Sequence, residues 1–140
     1  MRVIREDSFV RRLAAEWIKH DKLIVSIDFD DTIFPYNKDL VDHYGTDMVI
    51  DRIKRFQDDA ILIIWTASPS DRYDYIREYC NDMDLNIQSV NSAALPDLKF
   101  GTDSKPYFNV HIDDRVCPPM ITLGFIEKAH LQFKAYKRLK

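Results

Sequence analysis

Short apolar runs that stop abruptly at acids or hydroxyls, with helix-like spacing between them, constrain this chain more than any other feature. Lys22 to Ile27 is a strand-length run of β-branched and aliphatic residues, and it delivers the chain directly into Asp28-Phe29-Asp30-Asp31. Ala60 to Trp65 is continuously apolar and ends at Thr66 and Ser68, the pattern of a parallel strand covered on both faces. Ile87 to Val90 reads as a further short strand, and Phe108 to Ile112 as another that ends in Asp113 and Asp114.

The intervals between these runs carry helical periodicity. Asp7 or Ser8 can cap a first helix in which Phe9, Val10, Leu13, Ala14, Trp17 and Ile18 share one face. Met48, Val49, Ile53 and Phe56 predict a helix over Asp47 to Phe56. Ser68, Pro69 and Asp71 resemble a capping box opening a helix that runs to about Met83. A last helix is expected over Phe125 to Arg138, after Cys117-Pro118-Pro119 interrupts the chain. Alternating strand and helix predict an α/β fold in three layers, with a central, mostly parallel sheet and helices on both faces. At 140 residues and 46% hydrophobic content, one domain over residues 1–140 is expected.

Composition excludes several classes. A formal net charge of -3 provides no strong nucleic-acid patch, although a nucleotide substrate stays open. Cys80 and Cys117 are too few and too far apart for a disulfide framework or a thiolate zinc site. The charged N-terminal stretch and the lack of any apolar run of spanning length predict a cytoplasmic protein without membrane association.

Ligands of an open parallel sheet gather beyond the carboxyl ends of its strands. The expected strands bring Asp28, Asp30 and Asp31, then Thr66, then Asp113 and Asp114 to that edge. Carboxylates crowded there repel one another unless a cation neutralises them or some carry protons. Hard oxygen ligands suit Mg2+, which needs only one or two carboxylates and keeps sites for water and phosphate.

The spacing Asp28-x-Asp30-x-Thr32 after a buried strand resembles the nucleophile motif of the haloacid dehalogenase (HAD) superfamily, in its phosphatase branch. Thr66 is similar to the Thr or Ser ending that family's second core strand, and Asp113-Asp114 to its later acidic pair. Lys105 resembles the phosphate-steadying lysine, with Lys99 as the alternative. Four motifs in the family's order, over about Leu23 to Arg115, are far more specific than the first alone.

The resemblance implies a Rossmann-like, HAD-like fold without a large cap domain, because neither cap interval has room for one. It also implies a phosphoric monoester hydrolase in which Asp28 is the nucleophile and Asp30 the acid and base. Thr66, Lys105, Phe29 and the two aspartates would surround the phosphate, and Asp28, Asp30 (through its backbone carbonyl), Asp113 and Asp114 would hold Mg2+. Asp31 is expected to cap the turn or to sit in solvent, and not to be a ligand. A capless site suits a phosphoprotein, a nucleic acid end, or a small ester enclosed by another subunit. The rim loops Phe34 to Asn37 and Leu95 to Thr102 are the candidates for substrate contact. Two alternatives stand beside this: a catalytically silent HAD-like binding or regulatory protein, and a phospho-Asp receiver domain. The receiver fits less well, since it needs a lone acid on a middle strand, where Ile61 to Thr66 has none. His111, between Val110 and Ile112, is expected to be a hydrogen-bonded strand histidine outside the chemistry.

Overall fold

The computed structural model describes the backbone of residues 2–92, 94 and 107–140, and side chains from residue 8 onward within those stretches. Lys99, Lys105 and the loop from Leu95 to Thr102 lie outside the described residues. The elements are α1 (Arg2–His20), β1 (Leu23–Ile27), α2 (His43–Lys54), β2 (Ala60–Ile64), α3 (Tyr73–Asp82), β3 (Ile87–Val90), β4 (Val110–Ile112) and α4 (Pro119–Arg138). Short 3-10 turns at Gln57–Asp59 and Ser70–Arg72 lead into β2 and α3.

Among the described residues one four-stranded sheet forms, in the order β3-β2-β1-β4, and every pairing is parallel. The architecture is therefore α/β and Rossmann-like. β1 is paired on both edges and all five of its residues are buried, so a run without polar alternation is what such a strand requires. Asn109 extends the β1–β4 ladder by one position: its Oδ1 accepts the Ile24 N–H at 2.7 Å, and its own N–H donates to the Ile24 carbonyl at 2.9 Å.

Alternate residues of β1 face opposite sides of the sheet. Leu23, Val25 and Ile27 join the main core, to which α1, α2, α3 and α4 all contribute. Ile24 faces the other way, into a smaller cluster with Ile63 and Ala94, and Ile61 and Tyr107 pack against it. The layers are thus unequal: the described helices join the larger core, while among described residues the smaller one is closed by Ala94 and Tyr107. At the centre of the main core Trp17 is fully buried. Its ring stacks on Phe133 at 5.5 Å and on His130 at 4.9 Å, and its Nε1 donates to the Asp59 carbonyl at 2.8 Å.

All four helix starts differ from the sequence expectation; α3 begins at Tyr73, after the 3-10 turn Ser70–Arg72, and not at Ser68-Pro69. α1 begins at Arg2, so Asp7 and Ser8 lie inside it; packing of Leu13, Ala14 and Trp17 outweighs their weak helix propensity. α2 begins at His43 rather than Asp47, because the Asp42 side chain caps it by accepting the Gly45 N–H at 2.9 Å. α4 begins at Pro119, since proline at the first helical position loses only an N–H that has no partner there anyway.

Trp17→Ala is expected to lower unfolding free energy by about 3–5 kcal/mol, against about 0.5–1.5 kcal/mol for Ile24→Val in the smaller core. Urea unfolding followed by circular dichroism measures both, and a loss at Trp17 no greater than that at Ile24 would contradict the central, fully buried place of Trp17.

Candidate active site

The order β3-β2-β1-β4 contains a topological switch. The chain steps outward from β1 through β2 to β3, then returns to the opposite side of β1 to form β4. Loops leaving β1 and β4 therefore diverge, and a crevice opens between them at the carboxyl ends of the strands. A cleft of about 320 Å3 lies there, lined by Asp28, Asp30, Asp31, Tyr36, Thr66, Asp113, Asp114 and Arg115, among others. A hollow of about 400 Å3 beside β3, lined by residues such as Arg77, Asn81 and Gln88, is larger but gathers no group of acids.

Ladder bonds persist past the ends of the strands and hold the crevice floor. Asp28 N–H donates to the Ile112 carbonyl at 2.9 Å, and Trp65 N–H to that of Ile27 at 3.0 Å. Beyond Asp28 the chain reverses tightly. The Phe29 carbonyl accepts from the N–H groups of Thr32, Ile33 and Phe34, and Asp31 takes a left-handed conformation with φ of 62° that aspartate tolerates better than most residues. The Asp31 side chain accepts the Asn37 N–H at 2.7 Å, so of its two expected roles it takes the turn-closing one. Phe29 is fully buried, which leaves only its backbone to face a ligand.

One carboxylate oxygen each of Asp28, Asp113 and Asp114 lies within 4.8 Å of the others, the one such group of potential metal ligands among the described residues. Burial, followed by the hydrogen bond shared with the Asp114 carboxyl, pushes the Asp28 pKa up to about 7, against the opposing pull of the Thr32 hydroxyl 3.1 Å away. A carboxyl that holds its proton this firmly marks a place where negative charge is in excess. An all-oxygen donor set with that electrostatic deficit fits a hard divalent cation such as Mg2+.

Asp30 departs from expectation. The sequence reading surrounded it with negative charge, whereas in the structure both of its carboxylate oxygens accept from Arg72, at 2.6 and 2.8 Å. Arg72 comes from the turn before α3, and its guanidinium also lies 5.4–5.5 Å from the ring centres of Phe29, Phe34 and Tyr36. The hydrogen bonds to Asp30 raise the Arg72 pKa further, so the fork stays charged. Because the Asp30 carboxylate is turned into this fork, it stands outside the acid triad. A metal role for Asp30 therefore falls to its backbone carbonyl.

Ser68 caps no helix: its hydroxyl accepts from Arg72 at 2.7 Å and donates to Asp30 at 3.3 Å. Thr66 is buried at the end of β2, with its hydroxyl donating to Ser68 Oγ at 3.2 Å and accepting the Ser68 N–H at 3.1 Å. Its backbone is clasped on both sides by the Asn91 amide, whose Oδ1 accepts from Thr66 N–H and whose Nδ2 donates to the Thr66 carbonyl, each at 2.7 Å. Arg72 and Asn91 are the residues sequence reasoning missed. For Asn91 a signal existed, an asparagine immediately after a strand, where it sits at φ of 53°. For Arg72 none did, because its distance from Asp30 is set by the crossover. His111 is hydrogen-bonded as expected, with Nδ1 3.0 Å from Ser26 Oγ, while its Nε2 lies 3.6 Å from Asp113; burial lowers its pKa.

No family model matches the chain, and no curated protein does. Among solved structures, a conserved protein coded by a locus of Bacteroides thetaiotaomicron is similar, with a TM-score of 0.57 and 19% identity, over 76% of this chain and 91% of that one. That likeness shows the shared fold.

For metal-free protein, the raised pKa of Asp28 works against stability at neutral pH. Its folded value of about 7 exceeds the unfolded carboxyl value of about 4, so its contribution is complete below about 4 and is lost as pH rises through about 7. In EDTA at pH 8, Asp28→Asn is therefore expected to melt above the wild type, with the gap closing toward pH 4. A variant that melts below wild type at pH 8 would contradict the crowding described here.

Proposed function

We propose that this chain is a Mg2+-dependent phosphohydrolase of the HAD type, cleaving a phosphate monoester through a phosphoryl-aspartate on Asp28. The observation that carries the reading is the meeting of Asp28, Thr66, Asp113 and Asp114 at the switch-point crevice, from three separate strand ends and in the order the sequence motifs require. Asp28, Asp113, Asp114 and the Asp30 carbonyl would hold the metal, which when bound neutralises charge on the phosphoryl oxygens.

In the first step an oxygen of Asp28 attacks phosphorus, the bond to the ester oxygen breaks, and Asp30 delivers a proton to the departing alkoxide. In the second, Asp30 takes a proton from water as that water attacks phosphorus, and the Asp28–phosphorus bond breaks to release inorganic phosphate. Thr66 donates to a phosphoryl oxygen in place of Ser68, and the Phe29 backbone N–H faces the same group. Lys105, outside the described residues, is the cation this reading assigns to the phosphate. Asp30 must loosen one of its two bonds to Arg72 to carry a proton, and an incoming phosphate competes for that same guanidinium.

That ion pair is also the observation favouring a second reading, a catalytically silent binding protein in which Asp30 never leaves the fork. Phosphate release from aryl phosphate, nucleotides, sugar phosphates and phosphorylated oligonucleotide ends separates the two. Expected are turnover in Mg2+, its loss in EDTA, background rates for Asp28→Asn, and a fall of about 10²–10⁴-fold in kcat for Asp30→Asn. Turnover that survives Asp28→Asn refutes the nucleophile; inertness across the panel, with Mg2+ still raising Tm, selects the binding protein.

A further inference from the structure

The open wall of the cleft carries an aromatic ring that the proposed chemistry leaves unused. Tyr36 lines the same cavity as Asp28 and Thr66, yet it is 66% exposed. Single exposed tyrosines are ordinary on protein surfaces. This one differs in being held in place. Its N–H donates to the Phe34 carbonyl at 2.9 Å, the next residue is tied to Asp31 at 2.7 Å, and the Arg72 guanidinium lies 5.5 Å from its ring centre. Arg72 is in turn fixed by its fork to Asp30. A flat apolar surface is thus ordered in advance of any ligand, which lowers the entropic cost of stacking on it.

Building on the phosphohydrolase reading of this site, we propose that Tyr36 determines its specificity and selects nucleoside monophosphates, stacking the nucleobase while the phosphate sits at Asp28. Depth favours a nucleotide over a simple aryl ester. Asp28 is half-buried and Tyr36 largely exposed on the same cleft, a difference in depth that a base and a phosphate joined by a ribose would match. A cavity of about 320 Å3, near the lower end for small-molecule sites, suits a single nucleotide. A nucleic acid strand would draw on long-range attraction to cations, which a net charge of -3 does not favour.

The test compares kcat/KM for adenosine 5′-monophosphate, ribose 5-phosphate and phenyl phosphate in wild type, Tyr36→Ala and Tyr36→Phe. Wild type is expected to favour the nucleotide over ribose 5-phosphate. That ratio should fall roughly 5- to 150-fold in Tyr36→Ala, the range set by loss of one stacked base, and persist in Tyr36→Phe. A ratio unchanged in Tyr36→Ala, or a preference for phenyl phosphate over the nucleotide, overturns the specificity assignment and leaves the phosphohydrolase standing. If none of the three esters is turned over, calorimetric titration of the same ligands onto Asp28→Asn in Mg2+ decides: a Tyr36-dependent preference for the nucleotide supports the assignment, and equal affinities overturn it.

Discussion

Everything at the functional end of this molecule depends on β1 being paired on both edges and buried on both faces. A strand enclosed in that way cannot drift or fray, so the residue that follows it is placed as firmly as the core itself. Asp28 inherits this rigidity through its N–H bond to Ile112, and the chain must then reverse at once to escape the sheet. The reversal is what crowds three aspartates, Asp28, Asp30 and Asp31, within a few residues of a buried strand end. The return of the chain to β4 on the other side of β1 brings Asp113 and Asp114 against them.

Two different solutions to the resulting electrostatic problem stand side by side. On the β4 side, Asp28, Asp113 and Asp114 form no ion pair with a lysine or arginine among the described residues, only the His111 ring 3.6 Å from Asp113, and Asp28 answers by holding a proton to about pH 7. On the α3 side, Asp30 receives a full guanidinium with bidentate geometry. An arrangement that gives one carboxylate a full guanidinium and leaves three without one is poorly suited to stability alone, since neutral residues in those three positions would remove the repulsion. It is well suited to a site that takes its missing positive charge from solution.

Arg72 links this charge pattern to the shape of the cleft. Its guanidinium sits against Phe29, Phe34 and Tyr36 while gripping Asp30. Stacking on aromatic faces leaves the in-plane N–H donors free for a carboxylate, a combination that lysine could not reproduce. The same side chain therefore orders a carboxylate at the floor and an aromatic wall at the mouth. The Asn91 amide has a comparable part on the β2 side, where it substitutes for a strand partner and keeps Thr66 from splaying away.

Much of this was legible in the sequence, and the reason is local. Strand runs such as Lys22 to Ile27 and Ala60 to Trp65 declare themselves because a doubly buried strand tolerates no polar alternation, and the acids at their ends follow from chain order alone. Asp28, Thr66, Asp113 and Asp114 could therefore be assigned to one edge of a parallel sheet before any coordinates. Helix starts were less legible at Arg2, His43 and Pro119, where packing and a cap supplied by Asp42 overrode the local signals. The environment of Asp30 was not legible at all. Its partner lies 42 positions away, and whether a charged side chain meets another acid or a guanidinium depends on where the β2–α3 connection places Ser70–Arg72 over the crevice. By itself the sequence determined which residues end the strands, because backbone pairing and burial act on runs of neighbours; only the tertiary structure decided which charges face one another, because Coulomb and hydrogen-bond energies depend on distances that chain order does not set.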